Sequence, residues 1–128
     1  MKSNNNQVSF HIAIDDKEAV EAISFNRNAW HAGDERWQGN RASICIEICY
    51  SKSDGARYNA AEANAIEYTA QALIQLGLDG DDIRFHKEWS GKNCPHRILD
   101  EKRGDAFKAD IESFFAVLQS ELLYLKVA

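Results

Sequence analysis

QVSFHIAID, residues 7–15, decides how the chain is to be read. Val8, Phe10, Ile12 and Ile14 fall on one side of an extended backbone, and Ser9, His11, Ala13 and Asp15 on the other. A period of two marks a strand with one apolar face. SICIEICY, residues 43–50, repeats the pattern, with Ile44, Ile46, Ile48 and Tyr50 on one side and Ser43, Cys45, Glu47 and Cys49 on the other. The second face is small and apolar except for Glu47. A lone carboxylate between two cysteines should be partly desolvated, which suits it to proton transfer. Four residues of strand place the Cα atoms of Cys45 and Cys49 about 13 Å apart, too far for one ion to bridge, so both read as small core-filling residues.

Outward from these strands the period changes. NAAEANAIEYTAQALIQL, residues 59–76, carries Ile66, Ala70, Leu73 and Ile74 at helical spacing, and Gly77 supplies a stop. DAFKADIESFFAVLQSELL, residues 105–123, places Phe107, Ile111, Phe114, Phe115, Leu118 and Leu122 on one helical face. Between the helices, DIRFH (82–86) predicts a short third strand with Ile83 and Phe85 on one side and Arg84 and His86 on the other. Residues 24–40, with Trp30 and Trp37, show little periodicity, and an irregular segment of that length in a compact domain is usually functional or mobile. The order strand, long loop, strand, helix, strand, loop, helix predicts an α/β fold. A mixed central sheet is flanked by helices in a single domain over residues 1–128.

The totals exclude several function classes. The chain has 128 residues, 45% of them hydrophobic, enough for a packed core. Twenty acids against 15 bases leave a net charge of −5 with no dense Lys/Arg block, so there is no electrostatic footprint for nucleic acid or anionic lipid. No apolar run is long enough to span a membrane. MKSNNNQVSF has no apolar signal core, and three cysteines make no disulfide framework, so the expected compartment is the cytoplasm with reduced thiols.

The chemistry concentrates in FHKEWSGKNCPH, residues 85–96. Pro95 restricts Cys94 to extended backbone, and Ser90 and Gly91 ease a turn that returns Cys94 toward His86. Imidazole nitrogen and thiolate sulfur are donors that zinc prefers, but a catalytic zinc takes three protein donors and a water. Spacing alone therefore leaves a polar surface loop as an open alternative. His96 reads equally as a surface residue or a partner to the site, His11 as a satisfied sheet histidine, and His31 as a loop residue near a groove.

Taken in order, VSFHIAIDD (8–16), NAWHAGD (28–34), NRASICIEICYS (40–51) and FHKEWSGKNCPHR (85–97) resemble the zinc-dependent N-acetylmuramoyl-L-alanine amidases. That superfamily joins phage endolysins, bacterial autolysins and peptidoglycan recognition proteins, and the Bacillus prophage endolysins are the nearest in look. The resemblance implies Zn2+ as cofactor, with His86 and Cys94 matching two of three metal ligands. It implies Glu47 as general base toward the attacking water and Lys92 as the cation beside the tetrahedral oxyanion. The bond cut would be the amide between the lactyl group of N-acetylmuramic acid and L-alanine in peptidoglycan. Trp30, His31, Trp37 and His11 would line the groove for the muropeptide, with ordinary core or rim packing the alternative for the tryptophans.

The family's remaining zinc ligand is a histidine on a strand ahead of VSFHIAIDD, and MKSNNNQ offers no counterpart. The chain is therefore expected to be a member of the fold lacking its first strand, with a bare sheet edge through which two copies could pair. It would be a cytoplasmic product that acts on the wall after release. The alternative function is a catalytically inactive peptidoglycan-binding or amidase-regulating module.

Overall fold

A computed structural model describes residues 9–32, 38–50 and 55–127. Its sheet has three short strands, β1 (Ile12–Ile14), β2 (Ala19–Glu21) and β3 (Ile46–Ile48), in the order β2-β1-β3. β2 runs antiparallel to β1 and β3 parallel to it, so the sheet is mixed, as expected. The alternation of QVSFHIAID and SICIEICY selects the faces. Ile12 and Ile14 are buried, and with Ile46 and Ile48 they pack on Ala65 and Tyr68 of the long helix α2 (Gly55–Leu76).

On its other side α2 meets α5 (Gly104–Val127) through Ala70, Leu73, Phe107 and Ile111, with Ile98 fully buried among them. α2 thus lies between the sheet and α5. It stops where the sequence says it should. Gly77 takes a left-handed φ of 69°, its N–H reaches Ile74 O at 3.2 Å, and Leu78 N reaches Leu73 O at 2.8 Å, the paired hydrogen bonds of a Schellman motif. α2 starts at Gly55 rather than Asn59, and α5 runs from Gly104 to Val127 rather than over 105–123. Of the face read from α5, Phe107 and Ile111 are buried and Phe115 and Leu118 pack against the core, but Phe114 and Leu122 are exposed.

Two expectations need correction. DIRFH is not a strand. Asp79 caps a 3-10 turn at Gly80–Asp82, Ile83 to Phe85 pair with no strand among the described residues, and His86 opens a five-residue helix, α3 (His86–Ser90). The alternation misled because Ile83 and Phe85 are both held by the α2–α5 core, with no sheet neighbour to make a ladder. The second correction is the strand β2. Asp15 accepts from Lys17 N at 2.7 Å and Glu18 N at 2.8 Å, and this turn folds Ala19–Glu21 back along β1. Of the segment 24–40, the described residues 24–32 form no helix or strand, as expected, and α1 (Gln38–Arg41) forms at its end. A further short helix, α4 (His96–Asp100), follows Pro95. Among the described residues no helix is long and apolar enough to cross a membrane.

Candidate active site

Register places the acid. In the β1–β3 ladder Ala13 pairs with Glu47, between the pairs Ile12–Ile46 and Ile14–Ile48. Paired residues share a face, so with the isoleucines turned to α2, Glu47 and Ala13 turn the other way. Glu47 is exposed rather than partly desolvated. Cys45, two residues earlier and buried, donates its thiol to Glu47 Oε1 at 3.2 Å. Burial first, then the Glu47 charge and this hydrogen bond, push the Cys45 thiol far above the ordinary range, so it stays an S–H donor. Cys49, read as core-filling like Cys45, is instead exposed at the end of β3, its thiol raised by burial and by the charges of Asp15 and Glu47.

The segment 85–96 is folded back on itself by its backbone. Lys87 N donates to Cys94 O at 3.1 Å, Cys94 N donates to Lys92 O at 2.7 Å, and Gly91 closes α3 with φ 78° and a bond to Lys87 O at 2.9 Å. These bonds seat Cys94 beside the first turn of α3, which begins with the half-buried His86. The Cys94 thiol is raised by burial first and by the Glu47 charge second, while Lys92 lowers it. The charges of Glu47, on β3, and of Lys92, on the turn between α3 and α4, thus both act on the Cys94 thiol. Lys92 itself is exposed on that turn.

The groove residues divide. Trp30 is exposed, and its backbone is clamped to Ser9, with Ser9 N donating to Trp30 O and Trp30 N to Ser9 Oγ, both at 2.8 Å. His31 is half-buried, its Nε2 lying 3.3 Å from Ser43 Oγ. Trp37 lies outside the described residues. His11 is corrected: it is fully buried, its Nδ1 accepts from Cys45 N at 2.9 Å and its Nε2 donates to Arg27 O at 2.7 Å. With both ring nitrogens used internally it offers nothing to a substrate. The loop after β2 closes over it.

Two features went unread in the sequence. Asn40 is buried, and its Oδ1 accepts from His31 N at 2.7 Å and Ala32 N at 2.8 Å, fixing the backbone that follows Trp30. An Asn directly after Gly39 was the available signal. At the far end of β3, Tyr50 meets His96 and Tyr58 edge-on at 5.1 and 5.8 Å between ring centres, and the Arg97 guanidinium sits 4.2 Å from the Tyr58 ring centre. Burial, reinforced by Glu62, pushes the Tyr58 phenol up to about 12. Glu62 is in turn held by both terminal nitrogens of Arg103, joining α2 to the start of α5.

His86 and Cys94 carry donor atoms of the kind zinc takes. Among the described residues, however, no three His, Cys, Asp or Glu side chains are arranged to hold a metal ion. The two fit in kind and fall short in number.

The fold is a mixed sheet backed by a long helix, α2. Residues 1–97 match the family model described as N-acetylmuramoyl-L-alanine amidase, and the chain belongs to that family. It is 54% identical over 113 residues to N-acetylmuramoyl-L-alanine amidase XlyB of Bacillus subtilis (strain 168), covering 88% of this chain and 36% of that one. To N-acetylmuramoyl-L-alanine amidase CwlA of a Bacillus species it is 56% identical over 107 residues, 83% of this chain and 43% of the relative. The chain thus spans less than half the length of these relatives. The fold is that of PlyL, with a TM-score of 0.83 at 49% identity over 88% of this chain and 70% of that one. The PlyG catalytic domain gives a TM-score of 0.82 at 50% identity, covering 88% of this chain and 68% of that domain.

Proposed function

We propose that the chain is an N-acetylmuramoyl-L-alanine amidase domain that hydrolyses the amide joining the lactyl group of N-acetylmuramic acid to L-alanine in peptidoglycan. The observation that carries this is the chain's membership of the amidase family over residues 1–97, with Glu47 exposed on β3 and Cys94 bound back to Lys87 in support. Glu47 is exposed on the sheet face, within reach of water, and is the residue to take a proton from the attacking water and pass it to the leaving amine of L-alanine. Lys92, exposed on the turn between α3 and α4, offsets the negative charge that develops on the amide oxygen. Trp30 and His31 flank the groove that holds the muropeptide.

Zn2+ is the cofactor in this reading, held by His86 and Cys94 with a donor from outside the described residues, and it supplies a Lewis acid for amide hydrolysis. The domain reaches the wall after release from the cytoplasm. The far edge of β3, bare of any strand among the described residues, is where a second copy would pair.

The two-donor count favours a second reading, a wall-binding or amidase-regulating module without turnover. Turbidity loss and co-sedimentation with purified Bacillus walls, with and without added zinc, separate the two. The amidase reading expects lysis that Glu47→Ala reduces by about a hundredfold or more. Sedimentation with walls, no lysis and no effect of Glu47→Ala would establish the module instead.

A further inference from the structure

Cys45 has no part in the chemistry assigned so far, yet it is one of the most tightly placed residues next to Glu47. Its carbonyl accepts from His11 N at 3.2 Å and from Ile12 N at 3.0 Å, and its own N–H donates to His11 Nδ1 at 2.9 Å. His11 is in turn anchored through Nε2 to Arg27 O at 2.7 Å, which fixes its proton on Nε2 and leaves Nδ1 as the acceptor. The backbone of residue 45 is therefore held on both polar groups, one of them by a fully buried imidazole. From that anchored position its side chain reaches the Glu47 carboxylate, Sγ to Oε1 at 3.2 Å.

The geometry points to Cys45 as a positioning residue for Glu47: its thiol donates to Oε1, holds the otherwise exposed carboxylate in one orientation, and leaves Oε2 as the oxygen that takes the proton. The inference rests on the reading of Glu47 as general base. An exposed glutamate on a strand has several rotamers of similar energy, and a single fixed donor selects among them. The donor must not ionise, because a thiolate would repel the carboxylate. Burial and the Glu47 charge both raise the Cys45 thiol, which keeps it an S–H donor. The same protonation removes Cys45 from consideration as a nucleophile. Serine preserves the donor at this position with the least change in size, whereas alanine deletes it.

The test has two independent readouts on the full-length chain. The first is the Raman S–H stretch of Cys45, isolated by subtracting the Cys45→Ser spectrum. It is expected at the low frequency of a thiol bonded to a carboxylate, moving to the free-thiol frequency in Glu47→Ala. An unmoved band overturns the inference whether or not the chain lyses walls. The second is the kinetic split on soluble muropeptide, in variants shown by thermal melting to be folded. Cys45→Ala is expected to lower kcat about fivefold with KM unchanged, the loss of one modest hydrogen bond, and Cys45→Ser to restore most of it. Equal kcat in the two variants overturns the positioning role. Should Glu47→Gln keep full activity, the failure belongs to the general-base reading instead, and the Raman shift still decides whether Cys45 holds the carboxylate.

Discussion

Lys87 donates its backbone N–H to the carbonyl of Cys94 at 3.1 Å, and this one bond brings the two ends of the HKEWSGKNC segment together. It depends on the turn made at Gly91, whose φ of 78° lies in the left-handed region and whose missing Cβ would meet nothing within 4 Å. A side chain there therefore costs backbone strain and no clash. Gly91→Val is expected to destabilise the turn by about 1–2 kcal/mol and to weaken zinc retention, while Gly91→Asn, which tolerates that backbone, changes little. Equilibrium dialysis against zinc with the two variants side by side checks this, and equal retention would show that the turn does not set the site.

The groove loop should depend on Asn40. Its buried Oδ1 is the acceptor for two consecutive backbone N–H groups, those of His31 and Ala32. Asn40→Ala strands both donors, at a cost of about 2 kcal/mol, and frees the backbone that carries Trp30. Chemical denaturation should report the loss. Asn40→Asp, which keeps the acceptor, should recover most of it, and a Asn40→Ala variant of unchanged stability would mean water replaces the amide.

Glu62 is buried and its partner Arg103 is about one-third exposed, so their pairing is neither a surface bridge nor a sealed one. Removing one partner leaves the other short of its hydrogen bonds. Arg103→Ala should destabilise the α2–α5 junction by about 2 kcal/mol, toward the lower end for breaking a buried pair because the arginine is partly solvated. The double variant Glu62→Gln with Arg103→Ala should be no worse than the single one. Additive losses in the double-mutant cycle would show the two residues act separately.

The hairpin of β1 and β2 carries a pH signature. The backbone N–H groups of Lys17 and Glu18 hold the Asp15 carboxyl below its ordinary value of 3.8. A folded-state value lowered in this way stabilises the protein above that ordinary value, and the contribution disappears as pH falls below it. Asp15→Asn keeps a side-chain oxygen for the turn but cannot titrate. Its melting temperature should therefore fall less steeply than the wild type's on acidification below about pH 4. Parallel acid limbs would assign the acid sensitivity elsewhere.

Much of this was legible where the physics is local. Alternation found two strands, each shorter than the stretch that shows it, with Ile12 and Ile14 buried and Ile46 and Ile48 partly buried, and helical spacing at Ala70 and Leu73 and at Phe107 and Ile111 found the two long helices. What escaped is set by contacts distant in sequence. β2 is three exposed residues whose alternation is not expressed as burial, and only pairing to β1 makes it a strand. α3 and α4 are five residues each, shaped by the return of Cys94 to Lys87. His11 alternates with Ile12 and so read as lying on the polar face. It is buried because the loop bearing Arg27 closes over it, sixteen residues away. The identity of the candidate acid followed from its strand, while its exposure depended on what covers the sheet.

The most direct measurement of the central claim is the chemistry of the cut. Hydrolysis of the lactyl–alanine amide frees one new α-amino group, and it belongs to L-alanine. End-group labelling of purified peptidoglycan treated with the zinc-supplemented chain is predicted to show N-terminal alanine rising with time, and to show none above background with Glu47→Gln. No new N-terminal alanine with the wild-type chain, or an equal yield from both, would contradict the account.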